Sequence, residues 1–130
     1  MLPASAEDFP RYFAQAFAAR DAAAMGAILD DEGSGLTLSG QWAEGPAALE
    51  SAWAAEFAGL LANARLVTGK KQLRMLGPGA AVLNLRYVIT GAEQAEGMEL
   101  PRFGAVLSAV TIARSAGWQA VSLNFSPLSD

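Results

Sequence analysis

The sequence predicts an α+β domain in which three N-terminal helices pack on a curved, mainly antiparallel sheet. Two runs of β-branched and apolar residues fill positions 102–127 and flank the short loop Ser115-Ala116-Gly117, which is typical of a long antiparallel hairpin. Before Arg65 the apolar residues recur every three or four positions, as on one face of a helix, and after it they alternate. A chain of 130 residues can bury one sizeable core, so we expect one domain spanning 1–130.

Local start signals place the first two helices. Pro10 fits only in a first turn, so the first helix is predicted to begin near Asp8. Its apolar stripe, which predicts core packing, consists of Phe9, Phe13, Ala16 and Phe17. Asp21 is the predicted N-cap of a second, short helix from Ala22 to Leu29.

The segment after the second helix is acidic and rich in glycine. Asp30-Asp31-Glu32 lacks the spacing of an EF-hand loop and is interpreted as a solvated helix end, which Gly33 and Gly35 terminate. Leu36 to Ser39 alternates like a short strand, and Gln41-Trp42 continues it.

The remainder of the chain predicts one long helix and two hairpins. Pro46 opens the third helix, which is expected to run to about Asn63. Strands are predicted over Arg65–Leu76 and Ala80–Thr90, and the final hairpin follows a polar, mobile connection over Gly91–Pro101.

Each hairpin has one nearly pure apolar face and one mixed face when its residues are paired without a bulge. The predicted pairs are Leu73–Leu83 and Met75–Ala81 in the first hairpin, and Leu107–Phe125, Ser108–Asn124, Ile112–Ala120 and Arg114–Trp118 in the second. The apolar groups on the mixed face are Val82, Val88, Val106, Val110, Ile112 and Trp118. Because helices can cover only one side of such a sheet, we expect a homodimer packed through the mixed face; a monomer with a partly apolar exposed sheet is the alternative.

Composition excludes several classes of function. The formal net charge of −4 and the absence of a basic stripe argue against nucleic-acid binding. The sequence has neither cysteine nor histidine, which removes thiolate and imidazole metal ligands and nucleophile systems that need them. Sites for Mg²⁺ or Ca²⁺ built from carboxylates alone remain possible in principle. There is also no glycine-rich nucleotide-binding loop, and we expect neither a metal nor another cofactor.

The N-terminus, MLPASAEDF, has no basic region followed by an apolar one, as a signal peptide would. No stretch approaches the roughly 20 apolar residues that a membrane span requires. The sequence therefore predicts a cytoplasmic protein that has no membrane partner.

Three local motifs follow one another in an order typical of a known superfamily. Residues 17–25 read FAARDAAAM at the end of the first helix, residues 45–49 read GPAAL at the start of the third, and residues 117–127 read GWQAVSLNFSP. With this order of helices and strands, the chain resembles the nuclear-transport-factor-2-like superfamily over nearly its whole length. It is similar in particular to the SnoaL-like and SgcJ/EcaC-type members, whose fold the ketosteroid isomerases share. The resemblance implies a cystatin-like cone, in which a curved sheet wraps around a long helix.

In that superfamily the space between the sheet and the long helix is typically a ligand pocket. The aromatic candidates to line one are Tyr12, Trp42, Trp53, Tyr87, Phe103 and Phe125, for which a plain aromatic core is the alternative. The polar candidates are Asn84, Arg86, Ser108 and Asn124, for which a dimer interface or rim is the alternative.

Catalytic groups of the relatives are not matched here. Asn124 stands where such relatives often carry a histidine, and an amide cannot act as a base at neutral pH. The isomerase branch uses an Asp base with a Tyr/Asp oxyanion hole. No predicted strand interior carries Asp or Glu, so we do not expect that site.

Three functions fit these observations. The first is a protein that binds a small apolar or aromatic molecule, either as a binding protein or as a cyclase- or isomerase-like enzyme without a cofactor. The second is a non-catalytic homodimeric association or binding module whose cone is filled. The third is a carboxylate site built on Arg86 or Arg74.

Overall fold

The computed structural model describes residues 1–94 and 97–129 and shows an α+β cone. Within these residues, a short 3₁₀ helix (Ala6–Asp8) is followed by three α-helices, which lie against one face of a six-stranded sheet. The elements are α1 (Phe9–Ala18), α2 (Ala22–Ala27), β1 (Leu29–Leu36), β2 (Trp42–Glu44), α3 (Pro46–Ala58), β3 (Arg65–Gly77), β4 (Ala80–Thr90), β5 (Phe103–Arg114) and β6 (Gly117–Pro127). The strand order is β2-β1-β6-β5-β4-β3, with β1 and β6 parallel and the other neighbours antiparallel. The predicted fold class is confirmed.

The helices begin where their start signals predict and end earlier. Pro10 lies in the first turn of α1, and the Asp21 carboxylate caps α2 by accepting a hydrogen bond from the Ala24 amide at 3.0 Å. Helix α2 ends two residues before the predicted Leu29. Helix α3 ends at Ala58, well short of Asn63, because Gly59 leaves the helical region with φ −131° and ψ −108°.

The acidic segment is a strand, so its interpretation as a solvated helix end was wrong. Residues 30–32 lie in β1, which runs parallel to β6 with Leu29 opposite Ala120. The glycines of this strand allow close packing that a side chain would prevent. A Cβ on Gly33 would lie 2.9 Å from Leu29 Cδ1, and one on Gly35 would lie 2.8 Å from Leu49 Cδ1. The predicted strand over 36–39 is instead the end of β1 and the turn that leads to β2.

The two hairpins have the predicted extent, and most predicted pairs are confirmed. These are Leu73–Leu83, Met75–Ala81, Leu107–Phe125 and Ser108–Asn124. The pairs Ile112–Ala120 and Arg114–Trp118 were wrong, because a bulge at Val121 shifts the register, so that Thr111 faces Ala120 and Ala113 faces Trp118. Trp118 therefore lies on the helix side of the sheet and packs against the core, not on the mixed face.

The connection over 91–101 lies partly outside the described residues, at positions 95 and 96. Its described flanks pair with each other through an antiparallel bridge between Glu93 and Glu99. No helix in the described part of the chain is both long enough and apolar enough to cross a membrane.

Arg20 fastens the end of α1 to the connection between α3 and β3. All three nitrogens of its guanidinium donate hydrogen bonds, to the carbonyl oxygens of Phe17, Ala62 and Ala64. The guanidinium carbon also lies 5.3 Å from the centroid of the Phe17 ring. The Arg20 guanidinium therefore stabilises the fold through hydrogen bonds from all three of its nitrogens.

An aromatic cluster fills the centre of the cone, between α1, α3 and the sheet. Its members are Phe13, Phe17, Trp53, Phe57, Tyr87 and Phe125. The rings of Trp53 and Phe125 stack with centroids 5.9 Å apart, and Phe13 meets both rings edge-on at 6.0 and 5.5 Å. Trp53 is 1% exposed and Phe125 is fully buried, so the helices are held to the sheet mainly by aromatic contact.

Trp53→Ala is expected to lower the free energy of unfolding by about 3–5 kcal/mol, because it removes a fully packed ring and leaves a cavity. Trp42→Ala is the matched control: Trp42 is 60% exposed, and its loss should cost no more than about 0.5 kcal/mol. Equilibrium unfolding in urea measures both values. Equal effects of the two variants would contradict the central role of the cluster.

Candidate functional site

The space that the sequence resemblance predicted to be a ligand pocket is occupied by the aromatic cluster. Three predicted pocket residues, Trp53, Tyr87 and Phe125, are indeed brought together, but they pack against one another. The five main clefts in the described part of the chain are lined by neither Trp53 nor Phe125. The centre of the cone is therefore core.

The other aromatic candidates lie apart from that cluster. Tyr12 is half-buried and donates its hydroxyl to the Ala24 carbonyl oxygen at 2.8 Å, which ties α1 to α2. Trp42 projects from the edge strand β2, and Phe103 is half-buried at the start of β5. Of the six aromatic candidates, Tyr87 alone lines one of the main clefts on the helix side of the sheet.

The polar candidates lie on the sheet face that points away from the helices, here called the open face. Ser108 Oγ donates to Asn84 Oδ1 at 2.8 Å, and Asn124 Nδ2 donates to Ser122 Oγ at 3.2 Å. Asn84, Ser108 and Asn124 stand opposite one another on β4, β5 and β6. They form a polar row across the open face and do not contribute to a site on the helix side.

Three clefts lie between the N-terminal segment with α1 and strand β3, and we call the two that share Pro10, Lys71 and Leu85 the α1–β3 groove. They exist because β3 carries no buried residue along its whole length: the helix layer covers the neighbouring strands and leaves β3 exposed. Both clefts are bordered by Pro10, Lys71 and Leu85, so they form one continuous surface.

The first cleft of the groove is mainly apolar and has a volume of about 470 Å³. Its apolar lining comes from Leu73, Met75, Leu83, Leu85, Pro10 and Trp118. The bulge at Val121 turns Trp118 to this side, and for that reason sequence reasoning without a bulge missed it. Glu7 and Ser5 border the outer end. A concave apolar surface of this size is typical of small-molecule sites.

The second cleft is basic and has a volume of about 220 Å³. It is lined by Arg11, Lys70 and Lys71, together with Thr68 and Tyr87. Arg86 also borders it, but its side chain alternates with that of Tyr87 along β4 and so lies on the open face. A bulge places Gly69 and Lys70 opposite the single residue Arg86, and a Cβ on Gly69 would lie 3.1 Å from the Arg86 carbonyl oxygen. The one signal for these lysines in the sequence was an adjacent basic pair inside a predicted strand.

Tyr87 supplies the polar group at the floor of the basic cleft. The residue is 4% exposed, and burial raises its pKa to about 12, so the hydroxyl stays protonated at neutral pH. That hydroxyl makes no hydrogen bond to the described residues, yet no buried side-chain oxygen there lacks a partner. The hydroxyl therefore reaches solvent-accessible space, and the cleft that Tyr87 lines is where it does so.

The expectation that no strand interior carries an acid was wrong, because Asp30 lies buried in β1. Its Oδ1 accepts from Arg114 Nε at 2.9 Å, and its Oδ2 accepts from the Glu32 amide at 3.2 Å. The Arg114 hydrogen bond first, and the Glu32 amide second, hold the pKa of Asp30 below its ordinary value. Asp30 is therefore a fixed anion and not a proton donor near neutral pH.

Glu56 is the other buried carboxylate among the described residues. It lies on α3, 2% exposed, and accepts a hydrogen bond from the Ser39 amide at 2.8 Å. It thereby holds the turn between β1 and β2. No three acidic side chains in the described part of the chain come close enough together to hold a metal ion.

Asp30→Asn should remove stability that depends on pH. Because the folded-state pKa of Asp30 is depressed, its contribution is fully present above the unfolded value and is lost as pH falls through the folded value. The gap in unfolding free energy between the native protein and the variant should be constant above about pH 5 and shrink below about pH 4. Urea unfolding at several pH values measures it. A gap that persists unchanged to about pH 2, or an equal shrinking gap for the exposed neighbour in Asp31→Asn, would contradict this role.

Neither a protein-family model nor a curated protein matches this sequence. Solved structures match it over nearly its full length. An uncharacterised protein with a cystatin-like fold from Caulobacter vibrioides superimposes with a TM-score of 0.82 at 15% identity, covering 95% of this chain and 87% of that one. A candidate calcium/calmodulin-dependent protein kinase II association domain from Xanthomonas campestris gives 0.79 at 15% identity, covering 100% and 94%.

A ketosteroid isomerase-like protein from Erwinia carotovora atroseptica also gives a TM-score of 0.79 at 15% identity, covering 95% of this chain and 94% of that one. The chain therefore has the cystatin-like fold of nuclear-transport-factor-2-like proteins, as the resemblance in sequence implied.

Proposed function

We propose that this protein binds a small, largely apolar molecule in the α1–β3 groove. The main observation behind the proposal is the Tyr87 hydroxyl, a solvent-accessible donor on a largely buried residue that lines an open cleft and makes no hydrogen bond to the described residues. A donor held at a cleft without a protein partner can donate to a bound ligand.

The apolar cleft beside Tyr87 supports the same proposal. Leu83 and Leu85 form a rigid, buried floor, and Trp118 offers a half-buried indole face. Such a surface suits a flat ring, which gains by leaving water and by packing on the indole. A ligand oxygen above Tyr87 would accept the hydrogen bond of its neutral hydroxyl. The described groove residues thus support binding and hydrogen-bond polarisation of a bound ligand.

The test uses 2-naphthol, a flat ring with one oxygen, and isothermal titration calorimetry. Leu73→Asp places a charge on the half-buried wall of the apolar cleft and should weaken binding at least about tenfold, because the carboxylate must be desolvated beside the ring. Val110→Asp is the matched control: Val110 is also half-buried in a strand, but it lies on the open face, so binding should change by less than about twofold.

Two results would refute this proposal. One is a native protein that does not bind 2-naphthol or related ring compounds. The other is equal weakening in both variants, which would place the ligand elsewhere.

A second proposal concerns the open face, which we propose to be the interface of a homodimer. Five β-branched side chains, none of them buried, share this face: Val82, Val88, Val106, Val110 and Ile112. They surround the polar row of Asn84, Ser108 and Asn124, so a two-fold contact would pair apolar with apolar groups and amides with hydroxyls. One structural neighbour is described as an association domain, which supports such a role.

Val110→Asp should convert a dimer into a monomer, since an isologous contact would bring two carboxylates together without partners. Leu73→Asp, on the opposite side of the sheet, should leave the dimer intact. Light scattering coupled to size-exclusion chromatography measures both masses. A native protein that is monomeric at micromolar concentrations, or a dimeric Val110→Asp variant, would refute the interface.

A further inference from the structure

We infer that the α1–β3 groove selects a ligand that carries an anionic group, a carboxylate or a phosphate, next to its apolar part. This inference rests on the proposed function and adds the chemical class of the ligand. It follows from the distribution of charge along the groove, which is uneven in a protein of net charge −4.

Positive charge is concentrated on the two strands that border the groove. From Phe57 to Ala92 the sequence contains no Asp or Glu, yet this stretch holds five of the nine basic residues. These are Arg65, Lys70, Lys71, Arg74 and Arg86. Strands β3 and β4 therefore carry cations without any carboxylate of their own to neutralise them.

The cations that line the basic cleft are available to a ligand. In the described part of the chain, Lys70 and Lys71 form no salt bridge, whereas Arg11 pairs with Asp8 at 3.0 Å on the surface of α1. The absence of a side chain at Gly69 leaves the cleft open between them. An oxyanion there would meet two unpaired cations, Lys70 and Lys71, and the hydroxyl of Tyr87 as donors.

The charges along the groove also determine how a ligand would be oriented in it. Lys71 borders both clefts, whereas Glu7, the one acidic residue that lines the groove, borders only the outer end of the apolar cleft. An anion at the Glu7 end would be repelled, and one at the Lys70 end would be attracted. The anionic group is thus placed over Tyr87, and the ring or chain lies toward Leu73 and Trp118.

The experiment compares probes that share one ring and differ in charge. Binding of 2-naphthoate, 2-naphthyl phosphate, 2-naphthol and 2-naphthylmethylammonium is measured by calorimetry at one ionic strength. We expect the two anions to bind at least about tenfold more tightly than 2-naphthol, and the ammonium compound to bind most weakly. The tighter of the two anions tells which source of the negative charge the groove prefers.

Matched charge reversals locate the effect. Lys71→Glu should weaken 2-naphthoate binding by about fivefold or more while leaving 2-naphthol within about twofold. Arg102→Glu makes the same change in net charge at an exposed residue that lines none of the main clefts, and it should leave both probes within about twofold.

The outcomes separate this inference from the proposal on which it rests. If 2-naphthol binds as tightly as 2-naphthoate, the inference fails and the apolar site stands. If none of the ring probes binds, the proposed function itself fails. Equal loss of 2-naphthoate binding in Lys71→Glu and Arg102→Glu would also overturn the inference, because the effect would then reflect only overall charge.

Discussion

The packing of Trp53 against Phe125 is the interaction on which the rest of the structure depends. This contact joins α3 to β6. Phe13, on α1, packs edge-on against both rings, so these three rings hold α1 and α3 to the sheet. None of the five clefts in the described part of the chain is lined by Trp53 or Phe125, so the centre of the cone is filled by side chains. On the helix side of the sheet, accessible apolar surface lies at the margin of the helix layer.

Strand β3 lies at the margin of the helix layer, where it forms the edge of the sheet and one wall of the groove. As the edge of a six-stranded sheet it presents unpaired backbone groups, which lysines and a bulge protect against pairing with another chain. The same bulge at Gly69 and the same Lys70 and Lys71 shape the basic cleft. In the account proposed here, the features that protect the edge are also the ones that attract an anion.

The sequence predicted most of the fold but few of the residues that line the proposed groove. The periodicity of apolar residues predicted the stripe of Phe9, Phe13 and Phe17 and the two hairpins. A spacing that repeats over many residues is still visible when a bulge or turn interrupts it locally. Strand β1 escaped prediction because its glycines, needed for contact with Leu29 and Leu49, are indistinguishable in sequence from helix terminators. Of the candidates named from the sequence, Tyr87 borders the proposed groove, and Arg86 borders it with a side chain that lies on the open face. Lys71 and Trp118 were not among those candidates, since the groove depends on a β-bulge and on how far helices cover the sheet.

The central claim is that ligands bind at the margin of the cone and not at its centre. A titration of isotopically labelled protein with 2-naphthoate, followed by two-dimensional NMR, tests it most directly. The account predicts shift changes centred on the amides of Lys71, Leu85 and Tyr87, with the buried Trp53 indole N–H unchanged. Changes centred on Trp53 and Phe125 would mean that the aromatic cluster opens to admit the ligand, and would contradict the account.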